Sequence, residues 1–301
     1  MNNYDQKTVL SLPTYLLFFT FLMSALPAPC VSGESLSDPD GLTQKTSAQG
    51  TSRLPSPPKG YRWQMIESLS DEFNGDALDK SKWAPKHPFW TGRNSTHTVS
   101  NVSVRDGNLR LLSTLRAGAT EVKAETVTAA CVASTTPRSR CGYYEARIKC
   151  SDISMTSAFW FQGKYSEIDV IENIGEVTEP NSVWVNDTMM MNTHFYKEGW
   201  DKDRKTPFNW KMPSPSSAAY HIYGVWWKDK NTVAFYHNGI KVTEVTTGGP
   251  FDEGQYLYFD TEVFTWHGWP TKASLLDPAK NTMLVDWIRA WQLVDDTKIR
   301  P

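Results

Sequence analysis

The stretch Ser166-Glu167-Ile168-Asp169-Val170-Ile171-Glu172 decides how this chain is read. Three carboxylates fall between positions 167 and 172, in a run whose other members, Ile168, Val170 and Ile171, are β-branched and apolar. Such residues favour a strand, and Trp160-Phe161 just upstream has the same character. A strand alternates its faces, so Glu167 and Asp169 point the same way and position 171 would follow. The third acid stands at 172 instead. One extra residue taken up as a bulge returns Glu172 to the face of Glu167 and Asp169. A solvated acidic edge would not interleave its acids with β-branched residues, so the other face is expected to be buried.

The surrounding sequence is a succession of short strands and turn signals. Val102-Ser103-Val104 leads through Arg105-Asp106-Gly107-Asn108 into Leu109-Arg110-Leu111-Leu112-Ser113, and Asp-Gly between alternating runs predicts a hairpin. Tyr143 to Lys149, Tyr223 to Trp227 and Thr232 to Tyr236 alternate, the last ending at a His237-Asn238-Gly239 turn before Ile240-Lys241-Val242. Met283 to Trp291 reads as a final strand. Long amphipathic helical patterns and internal repeats are absent. The expected fold class is all-β, a sandwich of two antiparallel sheets.

The 301 residues suffice for one large β domain of roughly 200–250 residues with extras. Aromatics make up 13%, with 13 Trp. Core packing uses many of these, and surplus Trp also suits sugars, whose apolar ring faces stack on indole. A net charge of −2 gives no footprint for a nucleic-acid partner. Lys7 precedes an apolar run from Val9 to Leu26, broken by Pro13 and followed by small residues at Ala28, Ser32 and Gly33. This pattern predicts a signal peptide over 1–33, a secreted, periplasmic or cell-surface location, and no membrane contact in the mature form. A retained anchor is the alternative, disfavoured by the short run and the lack of a basic stop-transfer cluster. Residues 34–58, rich in Ser, Gly, Asp, Thr and Pro, are expected to form a disordered linker, leaving 59–298 for the folded domain, a monomer. Cys30 would leave with the signal. Cys131 and Cys141 are expected to bridge across a hairpin, and Cys150 to be a buried thiol. No Cys/His spacing suggests zinc.

Two carboxylates flanking a glycosidic bond are the working parts of a glycosidase. In a retaining double displacement one attacks the anomeric carbon, while the other protonates the leaving oxygen and then activates water. Neighbouring negative charge raises the pKa of the acid, and an aspartate between the two can share a proton with the nucleophile.

Glu167-Ile168-Asp169-Val170-Ile171-Glu172 resembles the bulged E-x-D-x-x-E signature of glycoside hydrolase family 16, in the form of its β-agarase, κ-carrageenase and porphyranase branch, shared with laminarinases. Asp71-Glu72-Phe73-Asn74-Gly75, Leu78 to Trp83, Gly142 to Arg147, Asn192-Thr193-His194-Phe195, Tyr223 to Trp227 and Asp260 to Trp266 resemble further family segments. The resemblance implies a β-jelly-roll with a concave substrate cleft. It implies Glu167 as nucleophile, Asp169 as assisting acid and Glu172 as acid/base. Trp160 would be a sugar platform, and His194, Glu262 and Trp266 would contact substrate. Trp90-Thr91-Gly92-Arg93 resembles a loop that walls the negative subsites, although Asn94-Ser95-Thr96-His97 departs from its usual continuation. No cofactor is implied for catalysis. A structural calcium or sodium ion is implied at the Gly107 carbonyl and the Asp286 carboxylate, with Glu72 as a third ligand; oxygen donors suit a hard cation. The activity implied is endo-cleavage, with retention, of β-1,4 galactosidic bonds in a red-algal galactan polysaccharide. Agarose comes first, then porphyran and κ-carrageenan, and Lys86, Arg93 and Lys164 are cations available to a sulfated chain. A non-catalytic carbohydrate-binding sandwich is the alternative of another class, opposed by the intact acid triple. A laminarin β-glucanase is opposed by the agarase-like segments.

Overall fold

Asp106 and Gly107 take φ values of 54° and 69° and close the hairpin between Val102–Arg105 and Asn108–Leu112. Asn238 and Gly239, at 51° and 79°, do the same between Thr232–His237 and Ile240–Thr246. Positive φ at both central residues gives a turn whose twist matches the strands it joins, which is why Asp-Gly and Asn-Gly were legible as hairpins. The structure, a computed structural model, describes residues 52–296. It is built on two eight-stranded antiparallel sheets, a jelly-roll sandwich.

The back sheet runs in the order Ile240–Thr246, Thr232–His237, His221–Asp229, Gly142–Lys149, Thr282–Asp295, Asn108–Leu112, Val102–Arg105, and Tyr61–Met65 also pairs with the long strand Thr282–Asp295. The cleft sheet runs Arg204–Lys205, Thr188–Phe195, Ser166–Asn173, Ser157–Gln162, Tyr256–Asp260, Cys131–Ser134, Trp83–Ala84, with Phe208–Lys211 on the edge of Thr188–Phe195. Between the sheets lies a continuous apolar core. Tyr144, Ala146 and Ile148 meet Phe159, Phe161, Ile168, Val170 and Ile171, all almost inaccessible to solvent. Each such large side chain contributes about 1.5–3 kcal/mol by leaving water. A small third sheet pairs Thr96–His97 in parallel with Val127–Ala129, anchoring the loop that carries Trp90 and Arg93.

The expected bulge is present. Phe159 pairs with Ile171 and Trp160 with Asp169, so Val170 is the extra residue. Val170 and Ile171 both enter the core, and the strand resumes with Glu172 opposite Ala158 on the cleft face.

Three expectations need correction. The Cys131–Cys141 bridge does not form, because Cys131 is a free buried thiol. The chain between them is not a hairpin: Cys131–Ser134 belongs to the cleft sheet, while Gly142–Lys149 belongs to the back sheet, so residues 135–141 cross from one to the other. Cys141 is disulfide-bonded, but not to Cys131. Cys150 is a free buried thiol, as expected. The end of the expected linker is not loose. Pro55 is buried, Leu54 packs against the cluster that contains Tyr143, Trp226 and Trp291, and the Pro55 carbonyl accepts from Trp63 Nε1 at 2.7 Å. The implied cation site is not assembled as a ligand set. Asp286 pairs with Arg147 Nη1 at 2.6 Å, and Glu72 receives Arg289 through both oxygens at 2.7 and 2.8 Å. Gly107 serves as the turn glycine. Both carboxylates are thus neutralised by arginines, and these residues do not fit a bound metal. The expected signal peptide, Cys30 and residues 34–51 of the linker lie outside the described residues. No helix among the described residues is long and apolar enough to cross a membrane.

Candidate active site

The registers of the cleft sheet set out the site as rows of side chains on one face. Glu167 lies between His194 and Gln162, with Tyr256 beyond. Asp169 lies between Asn192 and Trp160, with Tyr258 beyond. Glu172 stands next to Ala158, with Asp260 on its far side. The smallness of Ala158 leaves open space between two carboxylates that a larger side chain would fill. These residues line a cleft of about 1220 Å³, together with His87, Trp90, Arg93 and Trp266.

The acids are distinguished by their partners. Gln162 Nε2 donates to Glu167 Oε2 at 2.8 Å. His194 Nε2 lies 3.3 Å from Asp169 Oδ2 and 4.0 Å from Glu167 Oε1. On its other side His194 Nδ1 donates to Asp203 Oδ2 at 2.6 Å. Burial alone would lower the His194 pKa, but the carboxylates of Asp169, Glu167 and Asp203 more than offset this and raise it to about 10. At neutral pH it is therefore an imidazolium wedged among acids. Burial, then Asp169, pushes Glu167 well above the usual carboxylate range, while His194 and the Gln162 hydrogen bond pull it back. Burial, then Asp169, raises Glu172 to about 8, and Glu262 adds to this. Among the described residues no donor hydrogen-bonds the Glu172 carboxyl. Ionisation accordingly falls to Glu167, which has a hydrogen-bond donor and sits nearer the cation, and the retained proton falls to Glu172. That division is what a double displacement needs: a carboxylate in the place of Glu167 can attack the anomeric carbon while a carboxylic acid in the place of Glu172 protonates the departing oxygen and then deprotonates the water that releases the sugar.

The cleft wall beyond Glu172 is built around Glu262. Its carboxylate accepts from Trp90 Nε1 and lies 3.6 Å from Arg93 Nε. Arg93 also stands over Phe264 and Trp266, 5.4 and 5.8 Å from the ring centroids. Trp266 is 55% exposed and packs on Phe264. Trp160 is half-buried, stacked on Tyr258 at 4.5 Å, and Tyr258 is stacked in turn on His87 at 4.5 Å. Burial pushes His87 down to about 4, so it is a neutral ring in this aromatic pile.

Every residue singled out as catalytic or substrate-contacting lines this one cleft, and Lys164 does too, but Lys86 does not. Gln162, Asn192, Asp203, Tyr258, His87 and Asp260 were not anticipated. Gln162 was within reach, since positions 158, 160 and 162 share a face once Trp160 is placed on the cleft. Two groups among the described residues could offer donors to a metal: Glu167, Asp169 and His194, and His97, Asp260 and Glu262. In the first, His194 is already held between Asp169 and Asp203. In the second, Glu262 is already engaged by Trp90 and Arg93.

A family model described as the GH16 domain of β-porphyranases A–D matches residues 63–293. β-Porphyranase E of Zobellia galactanivorans is 33% identical over 79% of this chain and 90% of its own length. β-Agarase AgaB34 of Agarivorans albus is 30% identical over 84% of this chain and 62% of its own. The crystal structure of the β-porphyranase BpGH16B from the human gut bacterium Bacteroides plebeius superposes with a TM-score of 0.70 and 32% identity, covering 80% of this chain and 95% of that one. On these likenesses, which span most of the folded domain, the chain belongs to glycoside hydrolase family 16 and is a retaining glycoside hydrolase.

Proposed function

We propose that this chain is an exported endo-hydrolase of β-1,4 galactosidic bonds in a red-algal galactan, with porphyran as its substrate. The observation that carries the reading is Arg93. Its side chain is about half exposed, beside Glu262 and over the exposed Trp266, so a guanidinium faces the polymer path. A planar, permanently charged donor suits a sulfate ester and gains little from a neutral sugar. The matched family model and the first relative are both described as β-porphyranases, which supports the same reading. Agarose, the first expectation from sequence, is the second reading, and the 30% identity to a β-agarase favours it.

The test is reducing-end release on porphyran, agarose, κ-carrageenan and laminarin, with Arg93→Met alongside the wild type. The expected result is cleavage of porphyran above the others, reduced about tenfold or more by Arg93→Met, in keeping with a charge-assisted contact. Cleavage of agarose alone would install the second reading, and cleavage of laminarin alone would overturn both.

A further inference from the structure

The catalytic strand Ser166–Asn173 is off-centre in its sheet. Ser157–Gln162, Tyr256–Asp260, Cys131–Ser134 and Trp83–Ala84 lie on one side, with Trp90 and Arg93 on the loop after the last. On the other side is Thr188–Phe195, whose outer edge pairs with the short strands Arg204–Lys205 and Phe208–Lys211. The segment from Tyr196 to Asp203, which joins Thr188–Phe195 to Arg204–Lys205, presents a further aromatic surface to the cleft. Trp200 is 61% exposed and lines the cleft. Its ring lies flat on Tyr196, with centroids 3.7 Å apart and planes 19° from parallel. Tyr196 is buried and donates from its hydroxyl toward the carbonyls of Ser166 and Gly163, at 3.2 and 3.3 Å. The support under Trp200 is therefore tied to the residue immediately before Glu167. The turn is held by hydrogen bonds from Gly199 N to the Tyr196 carbonyl at 3.0 Å and from Lys202 N to the Gly199 carbonyl at 3.1 Å. Gly199 has a φ of 115°, a conformation that residues with a Cβ rarely adopt, so this backbone favours glycine. Lys205, opposite His194 in the register, lines the same end of the cleft and makes no ion pair among the described residues.

An exposed indole fixed flat on a buried ring has lost its rotamer freedom before any ligand arrives, so stacking on it costs little further entropy. We propose that Trp200, seated on Tyr196, is the stacking platform for a pyranose ring on the leaving-group side of the scissile bond, with the Lys205 ammonium as its polar contact. The side follows from the sheet order: Trp200 lies across the catalytic strand from Trp90 and Arg93, which resemble the wall of the negative subsites. The inference rests on the galactan reading above.

The test uses Trp200→Ala and Trp200→Phe on the polymer and on purified oligosaccharides of defined length produced by the wild type. Trp200→Ala is expected to lower kcat/KM on the polymer about tenfold. It should also shift the bond cleaved in each oligosaccharide toward its reducing end, because binding modes that fill the leaving side lose their advantage. Trp200→Phe keeps a ring and should recover part of both effects. The pH profile should stay unchanged, because Asp203 still holds His194. Unchanged cleavage positions would overturn the platform, as would a loss of rate accompanied by an altered pH profile, which marks a disturbed loop. Failure of the wild type to cleave any galactan would instead overturn the substrate reading, together with the inference built on it.

Discussion

The two sheets treat their acids in opposite ways. On the back sheet Asp286 rests on Arg147 and Glu72 on Arg289, each carboxylate matched to a guanidinium. Glu145, on the same sheet, is fully buried and accepts from the Tyr143 hydroxyl at 3.0 Å, and Glu244 is paired with Lys228. On the cleft sheet Glu167, Asp169, Glu172, Asp260 and Glu262 crowd together with His194 and Arg93 as their close cations. Paired surface acids are nearly neutral for stability. Crowded, desolvated acids work against folding and persist where chemistry uses their displaced pKa values. The contrast separates acids that hold the fold from acids that hold the reaction.

Glu167→Gln should break the contrast most severely. With no nucleophile, kcat is expected to fall on the order of 10⁴-fold, while relief of repulsion raises Tm. Reducing-end release and thermal melting check the two halves, and a fall in both would place Glu167 among the structural acids.

Glu262→Gln should sharpen it at an intermediate scale. The negative charge of Glu262 helps to raise Glu172, so its removal lowers that pKa. Arg93, relieved of its partner, acts in the same direction. Activity requires protonated Glu172, so the basic limb of the kcat/KM profile, near pH 8 in the wild type, should move to lower pH. A limb that stays in place or moves upward would remove Glu262 from the electrostatics of the acid/base.

Glu72→Gln should have the smallest effect. Its pair with Arg289 is half exposed, so the expected loss is about 0–1 kcal/mol in denaturant unfolding, with kcat/KM unchanged. A large loss of either would mean that the back sheet has a role beyond scaffolding.

Features written in local chemistry were legible in the sequence. The hairpins at Asp106-Gly107 and Asn238-Gly239, the alternating strands and the bulge before Glu172 each depend on residues adjacent in the chain. The catalytic acids were legible for the same reason. What escaped depends on which strands become neighbours. Asp203 reaches His194 only because Arg204–Lys205 pairs with Thr188–Phe195. Asp260 approaches Glu172 only because Ser157–Gln162 runs between their strands. The Cys131–Cys141 expectation failed on the same point, since ten residues of spacing served a hairpin or a crossover between sheets equally well.

The unpaired residue at Val170 also bears on how the enzyme can change. Its side chain faces the core, so another apolar residue of similar size should serve. The length of the strand is a different matter. Inserting one residue between Asp169 and Glu172 would turn Glu172 toward the core and carry a residue meant for the core into the cleft, whereas removing one would abolish the bulge and leave the acid on the cleft face of a regular strand. Variation at this strand is thus free in spelling and closed to added length, and libraries built for new specificities should substitute there and never insert.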